Sequence, residues 1–272
     1  MAKPSQSSPR KAPASGAKRP VAADTKSARI RKAAPPSYHH GDLRNALVAE
    51  GRRLLEEVGP NELSLRSVAR SVGVSIAAPS HHFEGKEGLL AAIAADGFLE
   101  LAAARRGIAA STADPVLRVY RTMECYIRFA ERERGLFYLM IGPRLPQREN
   151  HKALETAATS SFNLFASAVC DYARTKGWAE EDLELVVHAA WAVEHGLAML
   201  ILANRVPQLR RGVDVERMIS FSLSMLLNGI AAGPERFARI ESQIADASAA
   251  VDLKRAGPAP SARRSRSALG TG

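Results

Sequence analysis

Histidines offer the most direct chemistry in this sequence, because the imidazole titrates near neutral pH and binds metal ions. Four of them form two adjacent pairs, His39–His40 and His81–His82. Neighbouring residues on a helix point about 100° apart, and no cysteine or acid accompanies either pair at a metal-ligand spacing. The sequence therefore predicts no metal site and no cofactor.

Motifs that mark catalytic sites are missing from the sequence. It has no nucleophile elbow, phosphate-binding glycine loop, zinc-binding HExxH motif or paired catalytic carboxylates. The two cysteines, Cys125 and Cys170, lie in apolar stretches without metal-ligand spacing. Such cysteines are typical of reduced thiols packed inside a cytoplasmic protein. An enzyme is therefore the less favoured class, and a binding function is the better one.

Positive charge is concentrated at the two ends of the chain. Of a net charge of +10 over 272 residues, residues 1–36 contribute +8 and residues 253–272 contribute +5. Both ends are rich in Pro, Ala, Ser and Gly, so we predict disordered basic arms at 1–36 and 248–272. Such arms attract nucleic-acid phosphates. This function is favoured for the N-terminal arm, whereas a merely solubilising role stays an equal alternative for the C-terminal one.

The first ordered unit, residues 37–90, has the pattern of a three-helix DNA-binding domain with a helix-turn-helix. Apolar residues recur at helical spacing from Leu43 to Val58, and Gly59-Pro60-Asn61 is predicted to end this helix. A second helix is predicted to start after the N-cap Ser64 and to end at Gly73. That glycine allows the sharp turn between the second and third helices.

The third helix, predicted from about Ile76 to His82, is short and carries small side chains. They would let its backbone approach a groove floor, although they suit tight helix packing equally well. Pro79 lies near the end of the first turn, where proline is tolerated. Lys86 stands at the start of a fourth helix, where its ammonium group beside the helix N-terminus suits a phosphate contact.

The segment from Ser64 to Leu89, SLRSVARSVGVSIAAPSHHFEGKEGL, resembles the DNA-binding region of the TetR family of bacterial regulators. The residues that match at fixed offsets are Ala69, Gly73-Val74-Ser75, His82-Phe83 and Lys86-Glu87. The resemblance implies an obligate dimer whose third helices enter successive major grooves of a double-stranded operator. It implies phosphate contacts by Ser64, His82 and Lys86, and base contacts by the segment from Ser75 to His81.

One position departs from the family pattern. Ser80 stands where the family usually has a tyrosine that touches the DNA backbone. Either Ser80 makes a weaker hydroxyl contact or His81 takes over. The complete set of predicted DNA-binding residues is Arg44, Ser64, Arg66, Ser75, Ile76, Ala77, Ser80, His81, His82 and Lys86.

Residues 91–247 keep a helical apolar pattern without any alternating, strand-like run. The predicted fold class is therefore all-α, with a C-terminal helical bundle for ligand binding and dimerisation. The stretch FAERERGLFYLMIG, together with Trp191 and His195-Gly196, resembles the WHG ligand-binding domain of part of the TetR family. This resemblance implies an effector pocket and identifies no effector.

Trp191 and His195 lie four residues apart and so share one helix face. They form either a pocket wall with one titratable group or a core helix whose histidine is satisfied by a neighbour. The same two interpretations hold for the other large side chains nearby. The candidate pocket residues are Tyr126, Phe129, Phe137, Met140, Phe162, Phe165, Trp191 and His195.

Two strongly apolar helices are predicted at Leu183–Ala203 and Met218–Ile230. They would be covered by pairing with a second copy as an intersubunit four-helix bundle. The run from Val186 to Ala203 in the first helix contains His188, Glu194 and His195, which argues against a membrane span. We also expect no secretory signal at the start of the chain. We expect a cytoplasmic, homodimeric, ligand-responsive repressor of transcription. Activation stays open, as does an architectural DNA-binding role with little sequence preference.

Overall fold

The computed structural model describes residues 40–143, 145–204 and 214–256. Within these ranges the chain forms nine α-helices, three short 3-10 helices and no strand, which confirms the all-α class. The α-helices are α1 (His40–Glu62), α2 (Leu65–Val72), α3 (Gly85–Ser111), α4 (Pro115–Arg132), α5 (Arg134–Ile141), α6 (Lys152–Arg174), α7 (Leu183–Leu202), α8 (Val215–Ala231) and α9 (Pro234–Ala256). The 3-10 helices are Ala78–His81, Arg148–Asn150 and Glu180–Asp182. The predicted basic arm 1–36 lies outside the described residues.

Helix α1 does not end where the sequence predicted. Gly59 breaks it with φ 74° and ψ 171°, and the helical path resumes through Glu62. Pro60 is tolerated here because the first residue of a new helical turn needs no N–H donor. The stop signal at Gly59-Pro60-Asn61 is therefore a break within the helical segment.

Helix α2 begins and ends as predicted. The Ser64 hydroxyl accepts a hydrogen bond from the Ser67 backbone N–H at 3.1 Å, and Ser67 Oγ accepts one from the Ser64 N–H at 3.1 Å. Gly73 then adopts the left-handed conformation, with φ 82°, and donates its N–H to Ala69 O. Both ends of this short helix are fixed by local hydrogen bonds.

The third helix of the DNA-binding unit is a 3-10 helix, and the prediction of a helix from Ile76 to His82 was wrong in its extent. An α-helical turn would need an N–H at position 79 to reach Ser75 O, and Pro79 has none. Ala78 N–H donates to Ser75 O instead, at 3.0 Å. Ser80 N–H likewise donates three residues back, to Ala77 O.

Helix α3 crosses the predicted domain boundary between residues 90 and 91. One hydrophobic core runs along it and joins residues of the DNA-binding unit, such as Leu47 and Phe83, to Phe137 and Leu154 of the bundle. A second core is formed by α4, α6, α7 and α8. The described residues, from His40 onward, belong to a single compact unit.

Helix α9 extends to Ala256. The first nine residues of the predicted disordered tail, 248–256, are thus helical, because they contain mainly good helix formers and no glycine or proline. Residues 257–272 lie outside the described part of the chain.

One segment of the described residues, Glu180–Leu202, is long and apolar enough to span a membrane by length and composition. The core helix of a globular protein has the same properties, and α7 contributes Val187, Ala190 and Leu197 to the second core.

Candidate DNA-binding surface and effector cavity

The segment after α2 presents an exposed row of side chains. It comprises Ser75, Ile76, Ala77, Ser80 and His81, whereas Pro79 and Phe83 are buried behind it. These exposed residues are those for which base contacts were predicted. The segment thus exposes small and polar side chains, while the buried Pro79 and Phe83 fix it to the rest of the unit.

Two predicted cations flank this row. Arg44 on α1 is exposed, and its guanidinium carbon lies 5.5 Å from the ring centroid of Phe83. This cation–π contact holds the arginine of α1 beside the third helix. Arg66, on the first turn of α2, is also exposed.

The predicted phosphate contacts already have partners within the chain. Ser64 caps α2, and Lys86 Nζ donates to Asn61 O at 2.6 Å. A lysine ammonium carries three N–H donors, so Lys86 keeps two for a phosphate. His82 is half-buried against the Phe83 ring.

The departure from the family pattern has a structural counterpart. Ser80 Oγ donates to Ala77 O at 2.6 Å, and its hydroxyl is thus committed within its own turn. The neighbouring His81 is exposed. Of the two alternatives at these positions, a contact by His81 is the one that needs no intramolecular hydrogen bond to break.

A cavity of about 390 Å³ lies among α3, α4, α6 and α7. Its volume falls in the range of small-molecule sites. The lining residues are Phe98, Leu101, Arg105, Tyr126, Ile141, Arg148, Ala158, Thr159, Ser161, Phe162, His188, Trp191 and Glu194. Its walls thus combine aromatic rings with a small number of charged groups.

A buried ion pair forms part of this lining. Arg105 Nη2 and Glu194 Oε1 are 3.2 Å apart, and the two side chains are only 4% and 1% exposed. Arg105 Nη1 also donates to Ser161 O at 2.9 Å. Among the described residues, Arg105 Nε and Glu194 Oε2 have no hydrogen-bond partner. Burial raises the pKa of Glu194 to about 8, although Arg105 opposes this shift.

A hydrogen-bonded aromatic pair stands beside the ion pair. Tyr126 OH and His195 Nδ1 are 2.9 Å apart, and the Tyr126 ring meets Phe137 edge-on at 5.1 Å. Burial lowers the pKa of His195 and raises that of Tyr126. Both groups are therefore neutral at neutral pH.

The cavity contains three of the predicted pocket residues, Tyr126, Phe162 and Trp191. His195 lies behind Tyr126 and does not line it. The other four predicted residues are buried in the hydrophobic cores, where the alternative interpretation had placed them: Phe129, Phe137, Met140 and Phe165. Large apolar side chains fill cores more often than they line pockets, and helical spacing alone does not separate the two.

Sequence reasoning missed the buried pair itself. One signal was available, because Glu194 is an isolated acid in the most apolar helix and a buried acid needs a partner. Its partner is 89 residues away in the chain, and no local pattern identifies it. Among the described residues, no group of three metal-ligating side chains occurs. His39 lies outside the described residues.

Comparison with known proteins decides the family. The model for bacterial regulatory proteins of the tetR family matches residues 47–93, and that for the tetracyclin repressor-like C-terminal domain matches residues 119–226. The chain belongs to the TetR family. It is a DNA-binding transcriptional regulator and not an enzyme. The narrower resemblance to the WHG domain stays a prediction.

Solved structures with this fold cover most of the chain. A protein from Rhodococcus sp. RHA1 is 31% identical, with a TM-score of 0.63, and the match covers 72% of this chain and 100% of that one. The TetR regulator PfmR from Thermus thermophilus is 21% identical, with a TM-score of 0.51 and coverage of 67% and 97%. A TetR/AcrR regulator from Thermobifida fusca YX-ER1 is 19% identical, with a TM-score of 0.52 and coverage of 69% and 98%. No curated protein sequence matches the chain.

In this TetR-family chain, a carboxylate of α1 caps α5. Glu56 accepts hydrogen bonds from the backbone N–H groups of Gly135, at 2.9 Å, and Leu136, at 2.8 Å. Arg52 on α1 pairs with Glu133, just before α5, at 2.9 Å. We call these contacts of Arg52 and Glu56 the α1–α5 latch. It joins the first helix of the DNA-binding unit to a helix whose last residue, Ile141, lines the cavity.

Proposed function

We propose that the chain is a ligand-responsive transcriptional repressor, located in the cytoplasm, which binds a palindromic operator as a homodimer. The observation that carries this proposal is the path from the cavity to the DNA-binding unit. The cavity residue Tyr126 packs edge-on against Phe137 of α5, and α5 is capped by Glu56 of α1. A ligand that shifts α5 therefore acts directly on the helix that supports the recognition segment.

Dimerisation is supported by an apolar face on α7 and α8 that one copy of the chain leaves exposed. Phe221 and Met225 are 62% and 60% exposed, and Leu185 is 70% exposed. A Cβ added to Gly196 or to Gly229 would have open space around it, so a partner helix has room to approach closely. Two such helices from each copy form a four-helix interface, the arrangement expected from the sequence.

The palindromic operator follows from this symmetry. A twofold dimer places its two recognition segments in half-sites about one turn of DNA apart, so the site must repeat in inverted orientation. Repression is the simplest consequence of a dimer that covers a promoter, and release by ligand follows from linkage. A ligand that favours a non-binding geometry lowers DNA affinity, and DNA lowers ligand affinity by the same factor.

The test starts from the DNA upstream of the protein's own coding region. A nuclease footprint of the full chain is expected to protect an inverted repeat, and a reporter under that promoter is expected to rise when the regulator is removed. A fall of the reporter would identify an activator and contradict repression. Equal protection of unrelated duplexes would identify an architectural binder. Light scattering that finds a monomer of 29.3 kDa would contradict the dimer.

A further inference from the structure

The effector cavity contains an unusual combination of aromatic walls and buried charge. Four aromatic side chains belong to its lining: Phe98, Tyr126, Phe162 and Trp191. Phe162 and Trp191 meet edge-to-face at 6.3 Å and form one corner. An occupant must therefore have a largely apolar body. The cavity volume of 390 Å³ equals that of about 13 water molecules.

The charges of the lining favour an anion. Its cations are Arg105 and Arg148, and its one acid among the described lining residues is Glu194. Arg148 is exposed and lies over the Phe98 ring, at 5.4 Å from the centroid. The buried Arg105 keeps one N–H, at Nε, without a partner among the described residues. A guanidinium donates readily to a carboxylate, for which its planar fork is the matching geometry.

Glu194 is the group that an anion would have to accommodate. As a carboxylate it would repel a second anion beside Arg105, whereas as a carboxylic acid it would not. Its complete burial already favours the protonated form. Protonation also converts its unpartnered Oε2 from a lone acceptor into a hydroxyl that donates to the incoming oxygen.

From this geometry, and given the proposed ligand-responsive function on which it rests, we infer that the effector is a hydrophobic monocarboxylic acid. It binds as the carboxylate at Arg105, with its apolar body packed against Phe162 and Trp191. Glu194 holds its proton in the complex, so binding takes up one proton from solvent wherever Glu194 is ionised in the free protein, and no covalent bond is made or broken.

The proton uptake can be assigned because burial shifts the pKa values of three neighbouring groups away from that of Glu194. Arg105 on α3 is the direct partner of Glu194. On α4, burial raises the pKa of Tyr126 and of Cys125, and on α7 burial lowers that of His195. His188 is the remaining titratable lining group, and it is exposed, with Nδ1 at 2.7 Å from Glu184 O.

The experiment uses the full chain and three probes that share a phenyl ring on a three-carbon chain: 3-phenylpropanoate, 3-phenylpropanamide and 3-phenylpropylamine. Trp178→Phe leaves Trp191 as the sole tryptophan, so fluorescence reports cavity binding. The carboxylate is expected to bind with a dissociation constant below about 1 mM and at least about tenfold tighter than the amide or the amine. Calorimetry at pH 9 in two buffers of different ionisation enthalpy is expected to show uptake of a proton, whereas at pH 7 it is expected to show little, because Glu194 is already protonated there.

The pH series identifies the group that takes up the proton. Carboxylate affinity is expected to be roughly tenfold weaker at pH 9 than at pH 7, because Glu194 ionises over that interval. Glu194→Gln, a neutral isostere, is expected to bind the carboxylate equally at both values. His188→Gln is the matched control and is expected to keep the pH dependence. Affinity of the wild type that does not change with pH would overturn the inference.

Failure of the inference and failure of the proposed function give different results. If the amide or the amine binds best, or if no probe binds below 1 mM, the monocarboxylate class is wrong, whatever happens to DNA binding. If the carboxylate binds as described while affinity for the operator is unchanged, the inference stands and the ligand-responsive function is wrong. Binding of the carboxylate that also weakens the operator complex supports both.

Discussion

Two arginine–glutamate contacts hold α1, α3, α5 and α7 together, and they differ in their access to water. The Arg105–Glu194 pair is almost wholly buried, whereas in the α1–α5 latch the Arg52 side chain is 21% exposed and Glu133 19%. A buried pair contributes little net stability while intact but costs much when one partner is removed. Breaking the partly exposed Arg52–Glu133 pair costs less, since Arg52 keeps Asp96 and Glu100 as partners, at 3.3 and 2.7 Å. The two contacts therefore suit different tasks, the first for a ligand site and the second for a switch.

The largest expected effect is on stability and concerns the buried pair. Arg105→Ala removes the hydrogen bonds to Ser161 and Glu194 and leaves a void between the Tyr126 and Phe165 rings. We expect it to lower the free energy of unfolding by about 3–5 kcal/mol, measured by urea denaturation at pH 7. Glu194→Gln is the comparison variant and is expected to cost about 1 kcal/mol or less. Equal losses in the two variants would show that Glu194 is a full carboxylate in the folded protein.

A second effect is the pH dependence of stability. The folded pKa of Glu194 lies above its unfolded value, so between pH 5 and about 8 the folded state binds more protons than the unfolded state. Stability of the wild type relative to Glu194→Gln is therefore expected to fall as pH rises through this window. Denaturation curves of both proteins at pH 5 and pH 8 measure the difference. A wild-type stability that stays constant relative to Glu194→Gln between pH 5 and pH 8 would mean that Arg105 outweighs burial and that Glu194 is ionised throughout.

The latch gives a smaller effect on stability and a specific one on regulation. Gly135→Ala would place a Cβ at 3.0 Å from the Glu56 carboxylate, so the carboxylate must move away from the start of α5. We expect a change in unfolding free energy within about 1 kcal/mol, and a reduced effect of the cavity ligand on operator affinity. Glu56→Gln is expected to behave in the same way, because it removes the charge that caps α5.

Glu57→Gln is the matched control for the latch, since Glu57 is the neighbouring exposed acid and pairs with Arg53 within α1. It is expected to leave ligand coupling at the wild-type level. Coupling that survives Gly135→Ala and Glu56→Gln unchanged would show that the signal reaches the DNA-binding unit by another route.

The smallest effect concerns the DNA phosphates. Lys86→Ala is expected to weaken operator binding by about 1 kcal/mol per half-site and to affect unrelated duplexes to the same degree. Lys176→Ala, on an exposed lysine of the loop after α6, serves as the control. Fluorescence anisotropy over a salt series checks both, and the slope of log affinity against log salt is expected to become shallower for Lys86→Ala alone.

Structural features that depend on neighbouring residues could be predicted from the sequence, whereas features that depend on contacts between distant residues could not. The start of α2 at Ser64 and its end at Gly73 depend on neighbouring residues, so they were predicted correctly. The 3-10 form of the third helix arises because Pro79 has no N–H. Pro79 is visible in the sequence, but the helical periodicity around it favoured the prediction of a longer helix. The length of α1 was predicted wrongly because the glycine break within it resembles a true helix end. The length of α9 was predicted wrongly because its last turns adjoin the basic tail, which was predicted to be disordered.

The ligand site was less predictable for a physical reason. Which aromatic side chains face a void depends on how α3, α4, α6 and α7 pack, and neither helical spacing nor composition contains that information. Phe137 and Met140 lie in the hydrophobic core, whereas Trp191 and Phe162 line the cavity. The pair of Arg105 with Glu194 forms only when helices distant in sequence meet.

Sequence-specific DNA binding by a dimer can be measured in a competition experiment. The full chain is titrated onto its footprinted inverted repeat, with an unrelated duplex of equal length as the alternative, at one fixed salt concentration. We predict a preference of roughly 10³ or more for the repeat and a stoichiometry of two chains per site. A preference near unity, or one chain per site, would contradict this prediction.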